Sequence, residues 1–232
     1  AVPIGYTLDL ALPRGWRQDW VADFAGGLGA CQTRYGATLL GGDTVSTSGP
    51  LVLAVTAFGA VPQGGALRRL GARIGDSVWV SGTIGDAALA VRLRNGWVPG
   101  PNIDTAFLDR RLDRPEPRLA LGAALRGLAT AAADVSDGLA ADLGHICDVS
   151  DVAAEICLAD LPLSPPTQVL VRSEPDLARV IVAGGDDYEL IFTAPAESDA
   201  AVREAARATE TPVTRIGRIL AGNGVGLFAT DG

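Results

Sequence analysis

Three short segments of this 232-residue chain join glycines to carboxylates: Gly41-Gly42-Asp43-Thr44, Asp134-Val135-Ser136-Asp137-Gly138 and Gly184-Gly185-Asp186-Asp187-Tyr188. Each is expected just after an apolar strand, where a glycine turn holds a carboxylate over a cleft. Carboxylates are hard oxygen ligands, and several brought to one point repel one another unless a divalent cation lies between them. Magnesium suits such a set, because it prefers oxygen and shares its coordination with waters and substrate phosphates. Gly-Asp pairs are also ordinary turn formers. A serine flanked by two carboxylates, as at Ser136, is a costly way to make a turn, although Asp137 could also cap a helix beginning near Leu139.

Arg68 and Arg69 precede Leu70-Gly71-Ala72-Arg73-Ile74-Gly75-Asp76. An arginine fork beside a glycine-bearing loop is the natural phosphate ligand in a chain without lysine, while a solvated surface arginine fits Arg69 equally well on local sequence. His145 reads as a packing residue. Gly222-Asn223-Gly224-Val225-Gly226 reads as a hairpin turn rather than a phosphate loop, since no clear helix follows it.

Composition narrows the chemistry. All 19 basic residues are arginine, so a Walker A loop and Schiff-base catalysis, which need lysine, are excluded. A net charge of -8 and a pI near 4.6 argue against nucleic-acid and anionic-membrane partners. An acidic protein still binds a nucleotide where metal ions bridge the two negative partners. With 48% hydrophobic residues and 20% charged, the chain is globular, and no run of 18 apolar residues marks a membrane span. Cys31, Cys147 and Cys157 form no metal pattern and are expected as buried, reduced thiols of a cytoplasmic protein. The chain lacks an initiator Met and ends at a turn-like Thr230-Asp231-Gly232, and is read as a fragment.

The elements that must position these residues follow from periodicity. Strands are expected over 6–12, at 38–40 and over 51–60, the last suited to burial, with a helix over 16–35. A Pro/Gly cluster at 61–65 marks the domain boundary, giving domains 1–62 and 63–232. Beyond it, strands are expected over 77–81, 131–135, 153–158, 188–193 and 213–219. Helices are expected over 85–93, 117–129, 139–149, 175–183 and 198–209, with a loop over 95–104. Strands alternating with helices give a mixed α/β or α+β layer.

These residues resemble the thiamine-phosphate kinases, members of the superfamily named after aminoimidazole ribonucleotide synthetase. The resemblance rests on GGDT at 41–44, RLGARIGDSVWVSGTIGDAALA at 69–90, DVSDGLAADLGHI at 134–146 and GGDDYELIFT at 184–193, in that order, and covers essentially the whole chain. It implies an α+β, PurM-like two-domain architecture: a truncated N-terminal dimerisation, ATP and Mg domain, then a near-complete C-terminal domain. It implies ATP-dependent phosphorylation of thiamine monophosphate to thiamine diphosphate by direct γ-phosphoryl transfer with Mg²⁺. Carried over by matching residue, Asp43, Asp134 and Asp137 are metal ligands, and Gly42, Asp43, Arg69 and Ser136 contact ATP. Asp186 falls where the family commonly has a substrate-binding Glu, and the shorter side chain is a departure.

The family also carries an upstream GDDAA-like segment, a further aspartate and a C-terminal aromatic residue, none of which is in this sequence. The fragment is therefore expected to be weak or inactive, and the intact protein a homodimer. Two alternatives remain: another ATP-using enzyme of the superfamily, or a non-catalytic nucleotide-binding or dimerisation module.

Overall fold

A computed structural model describes residues 1–228, so the turn read at Thr230-Asp231-Gly232 lies outside the described residues. The chain divides into one unit, Ala1–Ala66, and a second from Leu67 onward.

The first unit holds strand β1 (Val2–Pro13), helix α1 (Gln18–Tyr35), and strands β2 (Thr38–Thr47) and β3 (Val52–Ala60). The sheet runs β2-β1-β3, with β1 parallel to β2 and antiparallel to β3. α1 ends where Gly36 takes a left-handed conformation and returns its N–H to the Gln32 carbonyl, which β-carbon-bearing residues adopt only with strain.

Two expectations fail in this unit. Residues 41–44 are not a turn but lie inside β2, opposite Thr7, Leu8, Asp9 and Leu10. The ladder shifts register between Tyr6 and Thr7, and Gly42, at φ +146°, lies so close to β1 that a β-carbon would sit 1.8 Å from the Leu8 carbonyl oxygen. The glycine therefore serves a strand irregularity rather than a loop. β3, apolar enough for a core, is exposed along its whole length, because α1 buries none of its own side chains and no second layer of this unit covers the strand.

The second unit is built on a six-stranded sheet of order β5-β7-β4-β8-β6-β9. Its strands are β4 (Ser77–Ser81), β5 (Ala131–Asp134), β6 (Ala153–Cys157), β7 (Leu190–Ala194), β8 (Val213–Leu220) and β9 (Gly224–Phe228). The helices are α2 (Asp86–Arg94), α3 (Thr105–Asp113), α4 (Leu119–Ala124), α5 (Leu139–Ser150), α6 (Pro165–Ser173), α7 (Leu177–Ala183) and α8 (Asp199–Ala208). All strand pairs are antiparallel except β6 with β9, which makes the α+β layer that alternating elements implied. Alternation along β4 sends Val78 and Val80 to one face, with Leu139, Leu143 and Ile146 of α5. Trp79 goes to the other, parallel to Phe192 at 6.4 Å between ring centroids and packed with Leu121, Leu125 and Val202. With both faces covered, every residue of β4 is buried.

α3 and α6 are additions to the expected elements. Asp104 caps α3 by accepting the Phe107 N–H, and Ser164 caps α6 by accepting the Thr167 N–H with proline in the first turn. α4 is shorter than the helix expected over 117–129, since the chain turns at Gly127 with φ +80°. Residues 222–226 do not close a hairpin. Both edges of β8 are already paired, with β4 and β6, so β9 joins the free edge of β6 in parallel. Among the thiols, Cys147 and Cys157 are buried but Cys31 is exposed on α1. Burial pushes the Cys147 thiol up to about 11, with the Asp148 carboxylate adding to it. No helix among the described residues is long and apolar enough to cross a membrane.

Trp79 joins α4, α8 and the sheet, so Trp79→Ala is expected to lower unfolding free energy by about 3–5 kcal/mol. Urea denaturation measures this, and a loss below about 1 kcal/mol would show that the Trp79 layer is not a cooperative part of the core.

Candidate functional site

β5 delivers Asp134 at its last residue, and the chain turns through Val135-Ser136-Asp137-Gly138 into α5. α7 ends at Ala183 and the chain passes through residues 184–188 toward β7, so this segment follows a helix rather than the expected strand. Backbone hydrogen bonds clasp the two loops. Asp186 N–H donates to the Ser136 carbonyl at 3.0 Å, Tyr188 N–H to the Val135 carbonyl at 2.9 Å, and Val135 N–H to the Glu189 carbonyl at 2.8 Å. The approach is close enough to require glycine: a β-carbon on Gly185 would lie 2.0 Å from the Ser136 carbonyl oxygen.

Each loop is anchored by a buried carboxylate. Asp142, in the first turn of α5, accepts through Oδ2 from the N–H groups of Ser136, Asp137 and Gly138, at 2.9, 3.0 and 3.2 Å. This corrects the cap expected from Asp137, whose side chain makes no cap bond. Asp187 accepts from Gly85 N–H at 2.7 Å and Ala87 N–H at 3.2 Å, fastening the second loop to the start of α2. Burial pushes the Asp187 carboxyl up to about 7; those two N–H groups oppose the shift, and the Asp86 carboxylate adds to it.

Between the anchors, Asp134 and Asp137 are exposed, and Ser136 and Asp186 are half-buried. Asp186 and Tyr188 both take positive φ, 67° and 50°, on either side of buried Asp187. Conformations that non-glycine residues seldom adopt are held here by the anchored neighbour between them. Tyr188 is exposed, and its hydroxyl donates to Asp186 Oδ1 at 3.3 Å. Burial first, then the negative charges of Asp186, Asp134 and Asp137, raise the Tyr188 hydroxyl above its ordinary range. One hydroxyl thus feels all three carboxylates. No salt bridge among the described residues neutralises Asp134, Asp137 or Asp186. An uncompensated set of hard oxygen donors, with a serine hydroxyl beside it, fits a magnesium ion.

Behind the second loop lies a buried charged network. Glu189 accepts from Ser81 at 2.6 Å, from Arg118 through both carboxylate oxygens at 2.7 and 2.6 Å, and from Arg111 at 2.8 Å. Burial would raise the Glu189 carboxyl, yet the Arg118 and Ser81 hydrogen bonds hold it below its ordinary value. Asp86 accepts from Thr83, Ser164 and Thr167.

Of the residues singled out from sequence, Asp134, Ser136, Asp137 and Asp186 come together. Gly42 and Asp43 lie exposed on β2 of the first unit, where Asp43 Oδ1 accepts the Thr44 N–H at 2.8 Å. Arg69 is exposed in the second unit, and its carbonyl meets the hydroxyl of Ser150. Ser150 ends the 12-residue α5, about 18 Å from the end that carries Asp137. The structure therefore does not bring Arg69 to the aspartates. His145, expected in the core, is exposed on α5, since Leu143, Ile146 and Cys147 occupy the buried side. Asp142, Asp187 and Tyr188 were not singled out. A carboxylate one helical turn after Gly138 was the available signal for Asp142.

Residues 1–61 match the family described as AIR synthase related protein, N-terminal domain, and residues 73–230 match AIR synthase related protein, C-terminal domain. Thiamine-monophosphate kinase of Caulobacter vibrioides is 41% identical over 98% of this chain, which spans 65% of that relative's length. The crystal structure of thiamine-monophosphate kinase from Stenotrophomonas maltophilia K279a superposes with a TM-score of 0.90 at 44% identity, over 100% of this chain and 74% of its own. AaThiL complexed with AMPPCP and TMP gives a TM-score of 0.78 at 28% identity, over 100% of this chain and 72% of its own.

The proton on Asp187 offers a test of the clasp that needs no activity. Folded, this carboxyl titrates near 7; unfolded, near 3.8. The native state binds more protons between those values, so this contribution to stability is full below about pH 4 and is lost as pH rises through about 7. The urea midpoint of the unsubstituted protein should fall across that window relative to Asp187→Asn. Parallel midpoints in the two proteins would mean that Asp187 is ionised throughout.

Proposed function

The chain belongs to the AIR synthase related proteins, on their thiamine-monophosphate kinase branch, and from that premise we propose that its protein transfers the γ-phosphoryl group of ATP to thiamine monophosphate, giving thiamine diphosphate and ADP. The observation that carries the reading is the clasp of loops 134–138 and 184–188, which gathers Asp134, Ser136, Asp137 and Asp186 beside Tyr188 without a cationic partner among the described residues. The substrates follow those with which AaThiL was solved, AMPPCP standing for ATP and TMP for thiamine monophosphate.

Phosphoryl transfer demands position and charge neutralisation more than covalent chemistry. In the proposed site Asp134 and Asp137 would hold Mg²⁺; when bound, it draws charge from the nucleotide phosphates and the leaving oxygen. Ser136, on a loop fixed by three amides, orients ATP; on the first unit, taken by itself, Asp43 is proposed as a metal ligand and Gly42 and Asp43 as nucleotide contacts. Arg69, at the far end of α5, is given no role at the metal-bound phosphates of this site. An oxygen of the acceptor phosphate attacks the γ-phosphorus as the β–γ bridging bond breaks, and the electron pair leaves on ADP. The acceptor is already ionised near neutral pH, so no general base is required. Asp186 faces the substrate with a side chain one methylene shorter than the glutamate common in the family, and the Tyr188 hydroxyl donates to it.

The proposed setting is cytoplasmic and homodimeric. Supporting the dimer, the first unit exposes Leu39, Leu40, Val45, Val52, Val55 and Phe58 on its strands, apolar side chains of the kind that a partner surface covers.

The full-length protein, incubated with ATP, Mg²⁺ and thiamine monophosphate, is expected to form thiamine diphosphate, followed by chromatography. Asp137→Asn should lower its turnover about 10²–10³-fold with the unfolding midpoint unchanged. Near-normal turnover would remove Asp137 from the metal set, and nucleotide binding without product would point to a sibling substrate.

A further inference from the structure

On α5 a second set of ligands is gathered that includes a nitrogen donor. One carboxylate oxygen of Asp137, one of Asp142 and one imidazole nitrogen of His145 lie within 4.8 Å of one another. Asp142 and His145 are three residues apart on the helix and so share a face, and Asp137 comes from the loop that enters it. Asp142 is wholly buried. Its Oδ2 is committed to three backbone amides, while its Oδ1, also shielded from water, has no hydrogen-bond partner among the described residues. Orphaned buried carboxylate oxygens are costly, and an adjacent positive charge is what removes the cost.

We propose that Asp137, Asp142 and His145 form a site for a divalent transition ion such as Zn²⁺ or Co²⁺, which adjoins the all-oxygen magnesium set through Asp137. The imidazole decides the class of ion, since it suits borderline metals, whereas magnesium is held by oxygen. The three amides on Oδ2 act as the outer shell: they fix the Asp142 carboxylate and leave Oδ1 to bind. Asp137 and His145 are exposed, so ions enter from solvent and water completes the coordination. Asp137 is shared with the kinase site proposed above, but ion binding here requires neither nucleotide nor catalysis.

His145 is the chain's one histidine, which makes its imidazole C–H resonances assignable at once. The test is titration with Co²⁺, without nucleotide, in a Cys31→Ser background that removes the exposed thiol. The expected result is a strong paramagnetic shift of those resonances at one equivalent, reversed by Zn²⁺ and not by excess Mg²⁺. His145→Gln, an exposed substitution that leaves the fold intact, should weaken Co²⁺ binding at least about tenfold. Unshifted resonances, equal affinity in the variant, or displacement of Co²⁺ by Mg²⁺ would each overturn the site. Failure of thiamine phosphorylation would leave all three readouts unchanged.

Discussion

The clasp between loops 134–138 and 184–188 is the constraint from which the site follows. A backbone cannot approach another backbone this closely with a β-carbon between them, which is why Gly185 lies over the Ser136 carbonyl and Gly138 against the Ala183 carbonyl. Its amides and carbonyls then satisfy one another across the gap. What remains unsatisfied, three N–H groups of the first loop, falls to Asp142, and two at the start of α2 fall to Asp187. Anionic groups are favoured at helix starts, so the Asp142 carboxylate meets the dipole of α5 as well as its loop. The loops are thereby rigid at their roots, which leaves Asp134, Asp137, Asp186 and Tyr188 to project from a fixed frame.

The frame in turn leans on buried charge. Glu189 lies next to Tyr188 and carries two arginines and a serine, and Gly82 is what makes room, since a β-carbon there would sit 2.1 Å from Glu189 Oε1. A lone buried carboxylate would cost several kcal/mol. Paired through both oxygens with Arg118 and bridged to α3 by Arg111, it becomes a tie between the sheet and two segments that carry no part of the site. Removal of either arginine leaves Glu189 paired with the other alone, so the complete network specifies one arrangement of sheet, α3 and the segment before α4.

The two units differ in how far their own packing answers their composition. In the second, helices cover both faces of the sheet, and Val78, Trp79 and Val80 are all inaccessible to solvent. In the first, runs as apolar as 51–60 remain in solvent, with Tyr6 and Leu10 the apolar side chains buried among its described residues. Apolar periodicity reports a strand's fitness for burial, and whether another layer meets it is a separate question.

Local signals carried much of the fold. Strand β4 was legible as a short run of β-branched and aromatic residues, and helix α5 because its apolar residues recur at a period of 3.6. α3 was missed because charged Asp109, Arg110, Arg111 and Asp113 obscure its narrow stripe, and α6 because its two leading prolines resemble a loop although they suit a first turn. The acid and glycine segments, the absence of lysine and the resulting metal and phosphate chemistry are properties of the sequence alone, since residue types and spacing determine them. Only the tertiary structure decided that Asp186 projects beside Tyr188 while its neighbour Asp187 is buried under α2. It also placed β9 on β6 rather than β8, and Arg69 at the far end of α5. Adjacent aspartates in one segment share every local signal, so burial, edge pairing and distance were settled by contacts with residues remote in the chain.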